Sequence, residues 1–444
     1  MTADRTEYST THANPDGSFT LTQSTTPQRV KEADGGWGGV DPVLERRADG
    51  RVAPRGAVVD LSFSGGGPGA GMIRLGKGGR SVTLDWAGTL PQPVLDGPTA
   101  TYANVFDGVD LQLTATAEGY REVLVVKTPQ AAQNPALEQV TLAASGDGLS
   151  VVPGAGGGLR AVDDDGNAVF RGPAGQMWDS AATTRGPANP ADAHRCPRPR
   201  RRAGRRRPVA TGDGDATAVL PVKVDDGAVT VHPDLDLLRG ENTVYPVFID
   251  PSVGLGVSER TKLSSDGDKF WMFDGDKGVG KCGTADGYYC GGGYVDRMYF
   301  ELAPTKLVSK YVLDATFRAH ETWSFNCDPH WVDLVRTDNI SEGTVWPGPK
   351  QLDWMGDRDV AAGRGDLCSP DQPDAWIEFH DNPAETDENL TSTVRSFADG
   401  KLSRLTLMLR AKDEGIPGRG SDSTTAPSCR WSSPTSRACR PASG

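Results

Sequence analysis

Hydrophobic residues recur at every second position through most of this chain, in short runs punctuated by Gly, Pro, Asn and Asp. That period belongs to half-buried β-strands. Between residues 5 and 180 the segments GSFTLTQS, PQRVKE, AVVDLSFS, SVTLDWAG and GLRAVDDDGNAVFRG all follow it. In DLQLTATAEGYREVLVVK, Glu118-Gly119 interrupts two alternating runs of similar length, which predicts a hairpin. Val222 and Val224, then Val229 and Val231, flank Asp225-Asp226-Gly227 and predict another. Helical text is confined to PQAAQNPALEQV, which Pro129 and Pro135 keep short.

These elements predict an all-β protein of two β-sandwich-like domains, joined by a disordered Arg/Pro-rich linker and followed by a disordered C-terminal tail. The expected boundaries are an N-terminal β domain over 5–180, a linker over 181–215, a β-hairpin segment over 216–252 that completes the N-terminal domain, a second β domain over 253–414, and a tail over 415–444. The linker contains RCPRPRRRAGRRRP, with eight arginines in the thirteen positions from Arg195 to Arg207 and no apolar period. It is a disordered connection, a basic arm for an anionic polymer, or the product of a frame slip in GC-rich DNA, where Arg, Pro, Gly and Ala share codons. The tail, GIPGRGSDSTTAPSCRWSSPTSRACRPASG, has too little apolar content to fold, and a second slip would produce the same text.

Composition narrows the class. At 444 residues the chain exceeds what one core usually serves, and 55 Gly and 32 Pro with 36% hydrophobic residues suit many short strands. A net charge of -12 argues against nucleic acid as a partner of the folded parts. No apolar run approaches the roughly 20 residues of a membrane helix, so no membrane insertion is expected. The N-terminal text lacks the basic and apolar regions of a signal peptide, so export would need a signal upstream of Met1 or another route. Cys282, Cys290, Cys327 and Cys368 lie among short strands and Gly-rich turns, the pattern of a disulfide-stapled extracellular domain.

Motifs for catalysis are sparse. Neither HExxH nor GxSxG occurs, and the Gly-rich SGGGPGAG and RLGKGGRS lack the Lys-Ser/Thr ending of a phosphate-binding loop. No cofactor is implied. His320 beside Glu321 offers a base with a carboxylate, or a structural histidine. DGDKFWMFDGDKG and VDDDGN could hold calcium or form acidic turns, and neither has EF-hand spacing. Zinc would need CxxC-type spacing or histidines in register, which the cysteines do not offer. Asp333, Asp357, Asp359 and Asp366 are candidates for a glycosidase pair whose separation the sequence does not give. Arg364-Gly365-Asp366 matches an adhesion tripeptide. Trp346 and Trp354, in the Pro/Gly-rich loop TVWPGPKQLDWMGD, are the candidate carbohydrate-binding residues if their rings are exposed, and packing residues otherwise. Trp323 and Trp331 fall within alternating strands and are expected in the core or at its rim.

GSFTLTQSTTPQRV, DGGWGGVDPVL, LPQPVLDGPTATYANVFDGVDLQL, AVDDDGNAVFRGPAGQMWDS and YPVFIDPS resemble the N-terminal region of large secreted actinobacterial LamG-domain or wall-associated repeat proteins. GYYCGGGYVDRMYFEL, VLDATFRAHETWSFNC, TVWPGPKQLDWMGDRDVAAGRGDLC and LTLMLRA resemble the DNRLRE-type β-sandwich that follows it in them. The resemblance covers most of the chain. It implies, together with the local text, the disulfides Cys282–Cys290 and Cys327–Cys368. Relatives continue into laminin-G-like or repeat modules, so a truncated copy is expected.

Two functions follow. The first is a noncatalytic secreted module of the cell envelope, extracellular or wall-associated, a spacer or adhesion scaffold whose partner is a polysaccharide or cell-wall polymer bound weakly. The alternative is the N-terminal portion of a larger extracellular enzyme or polymorphic toxin whose catalytic domain lies outside this chain. A lectin, repeat or toxin domain in the flanking genomic sequence would separate them.

Overall fold

A computed structural model describes residues 4–181, 215–225, 227–250, 252–255, 259–273, 277–282, 284–285, 288–289, 293–324, 327–385, 388–415 and 432–440, with the backbone alone at 252–255, 284–285, 288–289 and 432–440. The protein is all-β, with antiparallel sheets throughout. Most of the expected linker and tail lies outside the described residues. Within the tail, Ser432–Arg440 runs as a strand between Phe19–Ser24 and Tyr311–Asp314.

The described residues divide into two compact units, one drawn from Arg29–Ala193 and Arg198–Val257, the other from Met1–Gln28 and Ser258–Gly444. The N-terminal unit contains two large sheets. One orders its strands Val222–Asp225, Ala228–Val231, Val140–Asp147, Arg80–Asp85, Ile73–Lys77, Asp60–Phe63, Val52–Gly56 and Asp41–Arg46. Alternation sets its faces: Phe63, Ile73, Leu75, Val82 and Leu84 are buried, while Ser62, Arg74 and Thr83 take the opposite side. The other sheet is built on the hairpin Val109–Ala115 with Gly119–Val126, paired from Val109↔Val126 to Ala115↔Tyr120. The hairpin around Asp225 joins the first sheet by pairing Ala228–Val231 with Val140–Asp147.

The C-terminal unit is organised by a sheet ordered Lys269–Trp271, Arg260–Ser264, Val295–Leu302, Leu405–Ala411, His330–Thr337, Gln351–Val360, with Gly280–Lys281 also paired to Val295–Leu302. Met298, Phe300, Val332, Leu334, Leu407 and Leu409 project into its main core. The hairpin-like pair Thr316–Glu321 and Ala375–His380 contributes Phe317, Ala319, Ile377 and Phe379 to the same core. Helix Leu390–Ala398, which the strand-dominated text conceals, adds Leu390 and Val394. Leu390, Val394 and Phe397 fall on one helical face. Its end is a Schellman turn: Gly400, at φ 76°, donates to Phe397 O, and Lys401 N donates to Ser396 O.

Residues 4–28 belong with this unit, whereas the sequence places them in the N-terminal domain. The strand pattern shows that Ser9–Ala13 and Phe19–Ser24 are strands, but their packing partners are remote. Leu21 enters the main core of the C-terminal unit. Arg260, 1% exposed, donates to Thr25 O at 3.0 Å and to Phe273 O at 2.8 Å. Lys306 pairs with Asp4 at 2.8 Å.

Candidate functional site

The outer face of the C-terminal sheet gathers most of the candidate chemistry. Cross-strand partners in an antiparallel sheet point to the same side, so the register aligns Trp271, Thr261, Tyr299, Met408, Val335 and Trp354 in one row across six strands. Trp346, from the loop after Thr337, joins Trp271 and Trp354 around a small cluster of Leu263, Tyr299, Val335, Ile340 and Met408. All three tryptophans are half-buried. The Arg297 guanidinium covers Trp346 at 4.5 Å from the ring centroid, and Arg297 and Tyr299 both donate to Pro347 O, at 2.9 and 3.0 Å. Gly348 permits this closure, since at φ 90° a Cβ there would come within 2.1 Å of Tyr299 Oη. Trp346 and Trp354 are thus brought together, but as partners of a packed cluster with limited free ring surface.

Trp331 is the exposed ring. It lies on the same sheet face, two residues before Asp333, and is 47% exposed. Lys412 Nζ sits 4.9 Å from its centroid. Trp331 was expected in the core or at its rim because it belongs to an alternating strand; the alternation holds, yet the face it selects is uncovered at this end. Trp376, 36% exposed, is also an open indole, with His320 at 4.9 Å centroid to centroid and Arg318 Cζ over its ring at 4.8 Å.

Beside Trp331, Asp333 and Asp357 are direct cross-strand partners, and Asp359 is the partner of Trp331 itself. Asp366 lies elsewhere, after Gly365. The two central carboxylates are each held by a cation: Arg410 Nε and Nη2 both reach Asp333 Oδ2 at 3.0 Å, and Lys412 donates to Asp357 Oδ2 at 2.6 Å. The hydrogen bond that Lys412 donates to the Asp357 carboxylate keeps its ammonium above its ordinary pKa. Asp333 and Asp357 are both buried, 2% and 8% exposed.

His320 and Glu321 do not form a pair. Neighbours on a strand face opposite ways: His320 meets Asp374 at 3.3 Å on the outside, and Glu321 is buried. Burial raises the Glu321 carboxyl to about 8, with the Ala362 N–H pulling the other way. The adhesion tripeptide is not displayed as such, because Arg364 is buried, donates to Ser324 O at 3.2 Å and stacks on Trp323 at 4.9 Å.

Cys327 and Cys368 are disulfide-bonded, with 5.6 Å between their Cα atoms. Cys282 is buried and disulfide-bonded, and Cys290 lies outside the described residues. In VDDDGN the Asp163 carboxylate accepts from Asn167 N at 2.8 Å and pairs with Arg80 at 2.8 Å, which makes an acidic turn. Among the described residues no group of three or more His, Cys, Asp and Glu is arranged to hold a metal. No helix among them is long and apolar enough to cross a membrane. Comparison with protein-family models and with curated proteins returns no match.

Trp271 was not legible as part of a site, and for the candidates Asp333 and Asp357 the sequence did not give the cross-strand pairing. Trp271 stands in acidic text that suggests calcium, and the register that puts it in a row with Trp354 is nonlocal.

Proposed function

We propose that this chain is a noncatalytic secreted module of the cell envelope, a spacer or adhesion scaffold that contacts wall polysaccharide weakly, and that its likeness to LamG-domain and DNRLRE-type wall proteins reflects kinship. The supporting observation is Trp331, an open indole on a sheet face beside Asp333, Asp357 and Asp359. Indole faces stack on the apolar faces of sugar rings, and the exposed Asp359 carboxylate can accept from sugar hydroxyls. Burial of Asp333 and Asp357 against Arg410 and Lys412 supports a structural role for both.

The test is a glycan array and an insoluble-wall pull-down with the full chain. Trp331→Ala is expected to abolish retention while leaving the unfolding temperature within about 2 °C, because an exposed ring contributes little packing. Trp346→Ala and Trp354→Ala are expected to destabilise the C-terminal unit by roughly 2 kcal/mol or more each, since both fill the small cluster. Retention unchanged by Trp331→Ala would sink the assignment of the surface, and hydrolysis of any glycan would overturn the noncatalytic role.

A further inference from the structure

We propose that the N-terminal unit carries a binding site for a phosphate group, formed by Arg51 and Arg74 at the edge of an arginine-lined groove. This site is separate from the Trp331 surface and does not depend on it.

The groove, about 600 Å³, runs over the outer face of the sheet that contains Ile73–Lys77 and Asp60–Phe63. Arg47, Arg55, Arg74 and Arg80 line it, in a protein whose net charge is -12. Three of them are already neutralised: Arg47 by Glu45 at 2.9 Å, Arg55 by Glu45 at 3.5 Å and Asp41 at 3.6 Å, and Arg80 by Asp163 at 2.8 Å. Arg74 differs. Its strand neighbours across the sheet are Ser62 and Thr83, which bring no charge, and among the described residues no carboxylate pairs with it. Its side chain is exposed.

Arg51 approaches the same place from the other side. Its Nε donates to Ser62 Oγ at 2.8 Å and its Nη2 to Ser62 O at 2.9 Å, which fixes the guanidinium and leaves Nη1 uncommitted. Both guanidinia converge on Gly71: a Cβ built there would lie 3.1 Å from Arg74 Nε, 3.3 Å from Arg74 Nη2 and 3.4 Å from Arg51 Nη1. Gly71, at φ 65°, supplies the bare backbone that allows the approach. Its N–H is engaged by Asp85 Oδ1, and Asp49 Oδ1 accepts from Arg51 N. Asp60 is the acidic residue lining the groove. Burial lowers the pKa of Arg51, and the charge of Arg74 lowers it further.

Two like charges held against one backbone point repel, and an anion between them offsets the repulsion. A planar carboxylate presents two oxygens on one edge and is satisfied by one guanidinium fork. A tetrahedral phosphate offers oxygens in several directions and can accept from two guanidinia at once.

The experiment is isothermal titration calorimetry of the full chain with inorganic phosphate and, separately, with a polyphosphate chain, both at matched ionic strength in sodium chloride. Inorganic phosphate is expected to bind in the millimolar range, and Arg74→Gln to weaken it at least tenfold with an unchanged melting temperature. Arg51→Gln should weaken it comparably, and Arg80→Gln less than twofold. Polyphosphate that binds at least tenfold more tightly per chain, and loses that gain in Arg74→Gln, would identify a phosphate polymer as the source. Equal affinity per phosphate would identify the free ion. Phosphate binding that Arg74→Gln leaves intact, or no binding to the folded wild type, overturns the site.

Discussion

Replacing Cys327 and Cys368 together by Ser is expected to destabilise the C-terminal unit by about 4 kcal/mol. The bridge spans a sequence separation of 41 residues, and closing a loop of that length removes this much conformational entropy from the unfolded chain. The enclosed segment contains His330–Thr337 and Gln351–Val360, two adjacent strands of the main sheet, as well as the loop that carries Trp346. The loss should therefore be visible as a lower unfolding midpoint for the C-terminal unit in denaturant, read through its tryptophans. The N-terminal unit, with no cysteine among its described residues, should keep its own midpoint. Calorimetry of the full chain would resolve the two transitions. Equal shifts in both, or none in either, would contradict this account.

The second large effect is a dependence of stability on pH, carried by one buried carboxyl in each unit. Burial raises Glu321 in the C-terminal unit from 4.5 to about 8. In the N-terminal unit Glu122 rises from 4.5 to about 8, through burial first and the Asp250 charge second. A raised carboxyl means that the folded state holds a proton the unfolded chain has released. Stability is therefore highest below pH 4.5, falls as pH climbs, and levels off above about 8 where both states are ionised. At about 1.4 kcal/mol for each pKa unit, the full penalty is roughly 5 kcal/mol per site. Glu321→Gln and Glu122→Gln should recover most of it at pH 8, each in its own unit, and change little at pH 4. The measurement is the difference in unfolding free energy between variant and wild type from pH 4 to 9. A difference that stays flat across that range would show that neither carboxyl is shifted.

Strand periodicity carried a long way in this protein because it is a local property. Alternating side chains in Val109–Ala115 and Gly119–Val126, with Glu118-Gly119 at the turn, specify a hairpin without reference to anything distant. The helix Leu390–Ala398 is hard to read because LTSTVRSFA has three β-branched residues and only about two turns of apolar spacing. Its helical state is decided by Leu390 and Val394 docking in the main core.

What the sequence by itself determined is the all-β character, the turns, the scarcity of catalytic motifs and the cysteine-rich second domain. Tertiary structure decided where function can reside. A period of two says that Trp331 and Val332 face opposite ways, but not which side a loop will cover; the loop holding Trp346 closes over one part of the sheet face and leaves Trp331 open. Cross-strand register, set by pairing far along the chain, puts Asp333 against Asp357 and gives each a cation. The same nonlocal pairing brings Arg51 and Arg74 to Gly71. It also draws residues 4–28 into the unit built mostly from the other end of the chain, because Leu21 and Thr25 find their partners there.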